Sequence, residues 1–167
     1  MIRYLLILLI LAGPVFAFDT KQLPNKTISD QLDEVSAERQ AQTSLPVAKD
    51  GFWDKLFQCK VTYTNKTHDY SVKLTDEVKK LSGTIVRIPG FMYPLSFEEK
   101  QTKILLSKRT PVCFFCPPGE PNEVLYVELA KPTPLNNDLI TIEGRFELTN
   151  RKEEGIFFVL KDAKLVK

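Results

Sequence analysis

Ile140-Thr141-Ile142-Glu143-Gly144-Arg145-Phe146-Glu147-Leu148 alternates side chains of two kinds without a break. A strand turns successive side chains to opposite faces. Ile140, Ile142, Gly144, Phe146 and Leu148 therefore face an interior, while Thr141, Glu143, Arg145 and Glu147 face water. Gly144 in mid-strand marks a bulge or sharp bend, as small barrels need where a strand turns a corner.

Four other stretches share this character. Gly83-Thr84-Ile85-Val86-Arg87-Ile88 is β-branched and runs into the breaker pair Pro89-Gly90. Lys103-Ile104-Leu105-Leu106-Ser107 is a second strand. Glu123-Val124-Leu125-Tyr126-Val127-Glu128-Leu129 is a third, bounded by Pro121-Asn122 and by Pro132 and Pro134. Residues 155–166 form the last, with Ile156, Phe158 and Leu160 alternating against Phe157 and Val159. A sandwich needs about seven strands. Five with short connections predict a mainly β protein, a small five-stranded OB-like Greek-key barrel. The 90–102 connection and the 113–122 loop are its two enlargements.

Ahead of the barrel, Phe52, Trp53, Leu56 and Phe57 recur as one helical stripe, which predicts a short helical plug and places the domain at 51–167. Val61-Thr62-Tyr63-Thr64 is a strand-like scrap before a polar turn, and residues 75–80 suit one helical turn. Residues 18–50 are polar and broken by Pro24 and Pro46, the pattern of a tether or loosely packed helix. Ser29 could cap such a helix through Gln42.

Residues 1–17 have the three parts of a secretory signal: Arg3, an apolar core over 5–12, and Val15-Phe16-Ala17 as a cleavage site. The apolar run falls well short of the roughly 20 residues that span a bilayer. The expected product is a periplasmic protein cleaved near Ala17, without stable membrane insertion. Arg3 is the leader's one charged residue, so 23 basic and 21 acidic side chains become 22 against 21 on its removal. That balance predicts no nucleic-acid partner.

Cys113-Phe114-Phe115-Cys116, followed by Pro117-Pro118, sets two thiols one tight turn apart. Three readings stand side by side. An exported chain meets an oxidising environment, so the pair can bridge as a disulfide that stiffens the loop; Cys59 then remains a small core residue. The pair can instead be half of a zinc or copper site, with Cys59 and His68 as the remaining nitrogen and sulfur ligands. It can also be an exchangeable dithiol, although prolines after Cys116 deny it the helix N-terminus that activates such pairs. Phe91, Met92, Tyr93, Phe114 and Phe115 make a candidate apolar rim for a protein partner, or else filling for the barrel end. With one histidine and no phosphate loop, catalytic chemistry is not expected.

Leu81 through Leu95, reading LSGTIVRIPGFMYPL, resembles the hallmark of an exported bacterial family classed as a domain of unknown function. Its members carry Gly-Phe-Met-x-Pro-Leu, then a strand, then a cysteine-containing loop ending in Pro-Asn. Here Cys113, Cys116, Pro117, Pro118, Pro121 and Asn122 match that loop, and Trp53 and Leu56 match an upstream helix. The resemblance covers residues 53–166. It implies a periplasmic accessory protein rather than an enzyme, with a membrane-transporter partner of ABC type.

Overall fold

The computed structural model describes residues 39–113, 116 and 118–166; the expected signal segment and most of the expected tether lie outside them. After a helical stretch at 39–43, seven strands and two short helices follow in the order α1 (Gly51–Phe57), β1 (Lys60–Thr64), β2 (Asp69–Lys73), α2 (Asp76–Leu81), β3 (Ile85–Pro94), β4 (Lys100–Ser107), β5 (Val124–Pro134), β6 (Ile140–Arg151) and β7 (Ile156–Val166). β1 and β2 form a separate hairpin. The other five close into a barrel ordered β3-β4-β5-β7-β6, with β6 returning to β3. Every barrel pairing is antiparallel except β5 with β7. Three consecutive antiparallel strands, a fourth returning beside the first, and a fifth inserted between third and fourth make the Greek-key, OB-like barrel that the alternation predicts.

The barrel is closed by two glycines at which strands approach each other. β3 pairs with β6 as far as Gly90 and with β4 from Phe91 onward. A Cβ on Gly90 would lie 2.7 Å from Leu106 Cγ. Pro89-Gly90, expected to end the strand, instead lies inside it, where the chain changes partner. The long 90–102 connection accordingly shrinks, because β3 runs on to Pro94 and β4 starts at Lys100. At Gly144 the register with β7 shifts between Glu143 and Arg145. The residue left over is on β7, where Asp162 takes φ 52° and accepts a 2.9 Å hydrogen bond from Arg145 Nη2. The bulge read from Gly144 is there, with its extra residue on the neighbouring strand.

Asp50 caps α1 by accepting from the Phe52 amide at 2.7 Å. Phe52, Trp53 and Leu56 are buried, and Trp53 Nε1 donates to the Pro89 carbonyl at 2.7 Å. Phe52 meets Phe146 edge-on, centroids 5.3 Å apart. Phe57 departs from the expected stripe: it is 59% exposed, with Lys108 Nζ 5.3 Å from its ring centre. Residues 39–50 are also packed. Residues 39–43 are helical, Ala48 is in the core, and Val47 bridges to Arg109. Order thus begins upstream of Gly51 within the described residues.

On the outside of β3, β6 and β7 the charges pair with one another. Glu143 meets Arg87 at 2.6 Å and Lys164 at 3.0 Å, and Glu147 meets Lys161 at 3.0 Å and Arg145 at 3.1 Å. Among the described residues no helix is long and apolar enough to cross a membrane.

Candidate functional site

The barrel's one large excursion leaves β4 after Ser107 and rejoins β5 at Val124. Prolines supply no backbone donors, so this loop cannot hold its shape with a regular ladder. Side chains do the work. The Pro118 carbonyl accepts from Gln42 Nε2 and from Ser107 Oγ, each at 3.0 Å. Gln42 Nε2 also donates to Thr110 O at 2.9 Å, and Thr110 Oγ1 donates to Pro46 O at 2.7 Å. Gln42 and Ser107 are both buried, so the two bonds to the Pro118 carbonyl are shielded from competing water.

At the loop's return, Glu123 is 2% exposed and its two oxygens share the Arg109 Nε–H, at 3.0 and 2.9 Å, with Arg109 Nη2 a further 2.8 Å from Oε1. Burial alone would raise the Glu123 carboxyl. The Arg109 guanidinium outweighs it, aided by the Glu120 amide and Lys108, and holds the carboxyl below its ordinary value of 4.5. Asn122 Nδ2 donates to the Cys59 carbonyl at 3.1 Å, tying the loop to the end of α1. The same loop is therefore fastened to the upstream helix, to β4 and to the strap of residues 42–47.

Held in this way, the loop lines several clefts, two of which meet at Tyr93. The larger, of 370 Å³, has Tyr70, Tyr93, Leu105, Cys116 and Ile156 among its walls. The smaller, of 290 Å³, is bounded by Met92, Tyr93, Val112, Cys113 and Leu135. Tyr93 belongs to both and divides them. Its phenol is pushed above 10.0, first by burial and then by charge interaction with Cys113 and Cys116. The carboxylates reaching the larger cleft are ion-paired: Glu120 with Arg39, itself in that cleft's wall, at 3.2 Å, and Glu154 with Arg151 at 3.5 Å.

The candidate residues separate into groups. Cys113 and Cys116 are half-buried thiols in irregular backbone. Cys59 is buried in the core, its sulfur 4.0 Å from the Lys55 carbonyl. His68 sits on the exposed β1–β2 turn at φ 54°, with Nδ1 3.2 Å from the Tyr63 hydroxyl. The four-ligand set of Cys59, His68, Cys113 and Cys116 is not assembled: among the described residues no three His, Cys, Asp or Glu side chains converge to share an ion. One candidate is a core residue and the other a turn residue, which the linear order does not reveal. Phe91 and Met92, 4% and 3% exposed, fill the barrel rather than form a rim, because β3 continues through them. Tyr93 stays at the edge, 9% exposed. Phe114 and Phe115 lie outside the described residues.

Gln42, Ser107, Arg109 and Glu123 escape a motif search. The available signal is chemical and covers three of them: Ser107, Arg109 and Glu123 flank a proline-rich loop with few donors of its own, whereas Gln42 is distant in sequence.

A family model described as a protein of unknown function, DUF3299, matches residues 21–158. This chain belongs to the DUF3299 family. The matched span contains both clefts' cysteines, the strap and β3 to β6. A DUF3299 family protein from Pseudomonas aeruginosa PAO1, known from a crystal structure, is similar at 23% identity over 58% of this chain and 68% of that one, with a TM-score of 0.47. A comparison with curated proteins returns no match.

Proposed function

We propose that this DUF3299 protein is an exported, periplasmic accessory protein that works by binding, not catalysis. Its working surface is the barrel end made by the 110–122 loop, Tyr93 and the two clefts. The observation that carries this reading is the division of one anchored loop across two adjoining cavities, with a thiol on each and Tyr93 between. Pocket volumes near 300 Å³ and above suit a side chain or small ligand. A loop already fastened by buried hydrogen bonds loses little freedom on binding. The walls are mainly apolar, aromatic and thiol, and the carboxylates among them are ion-paired, Glu120 with Arg39 of the same cleft, which suits recognition better than acid–base work.

The proposed partner is a membrane transport protein of ABC type, on the strength of the family resemblance in the 81–95 and 113–122 stretches. The test is a photo-crosslinking residue placed in cells at Val112, exposed beside the smaller cleft. A discrete adduct with a transporter subunit is expected from the periplasmic fraction. The control position is Asp162, which lines neither cleft. No adduct at Val112, or an equal one at Asp162, removes this surface from the reading. The mass of the periplasmic form, expected to start at Phe18, checks the export part separately.

A further inference from the structure

We propose that the smaller cleft seats an extended peptide segment of the docking partner, uncharged and apolar, which adds to the barrel as a short strand beside Met92 and Pro94. The proposal rests on the preceding reading of this barrel end and specifies what the partner presents there. β3 changes neighbours in mid-course. Its register with β6 is unbroken from Ile85↔Arg145 to Gly90↔Ile140 and stops there. From Phe91 to Pro94 its paired neighbour is β4. Among the described residues, the second half of β3 therefore has a strand on one side only.

Alternation decides which backbone groups face the unpaired side. In an antiparallel pair, successive residues turn their N–H and C=O to opposite neighbours. Thr84 faces β6, because its carbonyl accepts from the Phe146 amide at 2.9 Å. Pro89 faces the other way, where its carbonyl accepts from Trp53 Nε1. The same phase carried forward turns Gly90, Met92 and Pro94 toward the β6 side, and Phe91 and Tyr93 toward β4. Continued past Gly90↔Ile140, the register would set Asp138 opposite Met92. Instead the Asp138 amide donates to Asn136 Oδ1 at 2.8 Å, so the chain ahead of β6 turns on itself and leaves the β3 edge. The Met92 N–H and C=O and the Pro94 C=O thus have no strand opposite them among the described residues. A row of such groups is the template that an added strand completes.

The smaller cleft is lined by this edge. Met92 and Pro94 contribute from β3, Leu135 and Asn137 from the departing segment, and Val112 from the loop. Among the described residues the lining has no Asp, Glu, Lys or Arg. Val112 and Leu135 are each 41% exposed, so apolar surface flanks the edge. A charged side chain entering here would lose hydration and gain no counter-charge, whereas an apolar one is favoured. A helix spends its backbone groups internally and has none to offer Met92. Edge and lining together call for an extended, uncharged occupant. The larger cleft differs, with Arg39, Glu120 and Glu154 in its walls.

The experiment uses the mature, reduced protein, isotope-labelled for NMR. In the free protein the Met92 amide should exchange with solvent faster than those of Phe91 and Tyr93, which face β4. The probe is the capped peptide acetyl-Thr-Val-Thr-Val-Thr-amide, beside a copy N-methylated at every peptide bond, which keeps the side chains and removes the donors. The first peptide should shift and protect the Met92 amide, shift those of Leu135 and Asn137, and leave Tyr70 and Ile156 of the larger cleft in place. The N-methylated copy should bind more weakly by roughly tenfold or more, the consequence of lost backbone pairing. Leu135→Asp sets a carboxylate in the wall and should weaken the first peptide by a similar factor, with Trp53 emission checking the fold. No binding at millimolar peptide, equal binding of the two peptides, or a Met92 amide already as slow as that of Tyr93 overturns the proposal. The Val112 crosslink separates the two ideas: an adduct in cells with no peptide bound sinks only the strand seat, and peptide binding with no adduct sinks only the transporter partner.

Discussion

Gly90 and Gly144 are the positions where a single methyl group tests the architecture. At Gly90 a Cβ would meet Leu106 Cγ at 2.7 Å and the Ser107 carbonyl at 3.0 Å; at Gly144 it would meet Leu160 Cδ2 at 2.9 Å and the Lys161 carbonyl at 3.0 Å. Because backbone stands among the obstacles, a rotamer change cannot relieve the clash. Gly90→Ala and Gly144→Ala are each expected to destabilise the fold by about 1–3 kcal/mol, the usual cost of overpacking, read as a lower urea midpoint. Gly51 has nothing within 4 Å of its notional Cβ, and Gly51→Ala should leave the midpoint nearly unchanged. Trp53 poses a different question, since its indole N–H satisfies the Pro89 carbonyl in mid-strand. Trp53→Phe keeps an aromatic plug but strands that carbonyl, a loss of about 1–3 kcal/mol.

The loop between β4 and β5 stands or falls with its buried ion pair. Glu123→Gln leaves Arg109 facing an amide instead of a carboxylate. Breaking a fully buried pair costs about 3–5 kcal/mol, and Arg109 keeps 30% side-chain exposure, so roughly 2–3 kcal/mol is expected here. The pair also sets an acid limit. Glu123 has a folded-state carboxyl below its ordinary 4.5, so the unfolded chain binds the proton more readily. The stabilisation is fully present above the ordinary value and drains away as pH falls through it toward the folded value. Urea midpoints for the wild type should drop across that acid window, and Glu123→Gln should flatten the drop. An unchanged acid limb in the variant would mean that other carboxylates carry it. Gln42→Ala acts on the same loop from the strap side. It should raise the alkylation rate of Cys113 and Cys116 with a smaller fall in stability than Glu123→Gln, because the Pro118 carbonyl keeps Ser107.

Barrel, helices and strap share one hydrophobic cluster that runs from Ala48 through Trp53 and Val78 to Ala163. Nothing in that cluster divides plug from barrel. The described residues should therefore unfold in a single cooperative step. The one tryptophan lies wholly inside the cluster, so its emission reports the plug, while far-UV circular dichroism is dominated by the strands. Coincident urea transitions by the two probes are expected. A tryptophan transition that precedes the loss of strand signal would show instead that α1 undocks alone.

Alternation and glycine placement were enough to read the barrel from the residues, because a half-buried strand must present one apolar face and a close strand crossing must lack a Cβ. Ile140 to Leu148 with Gly144 shows both constraints within nine residues. Pro89-Gly90 misled for the complementary reason: the same pair that breaks an isolated strand serves where a strand exchanges one neighbour for another, and only the closed sheet supplies both neighbours. The thiol pair was legible as a motif, and its companions were not. Cys59 and His68 were grouped with it by chemical type, whereas packing sends one into the core and the other to a turn. Gln42 meets Thr110 across 68 positions of chain, and Arg109 meets Glu123 across 14. Local pattern carries no information about such meetings; they are settled when the barrel closes and the strap is drawn across the loop.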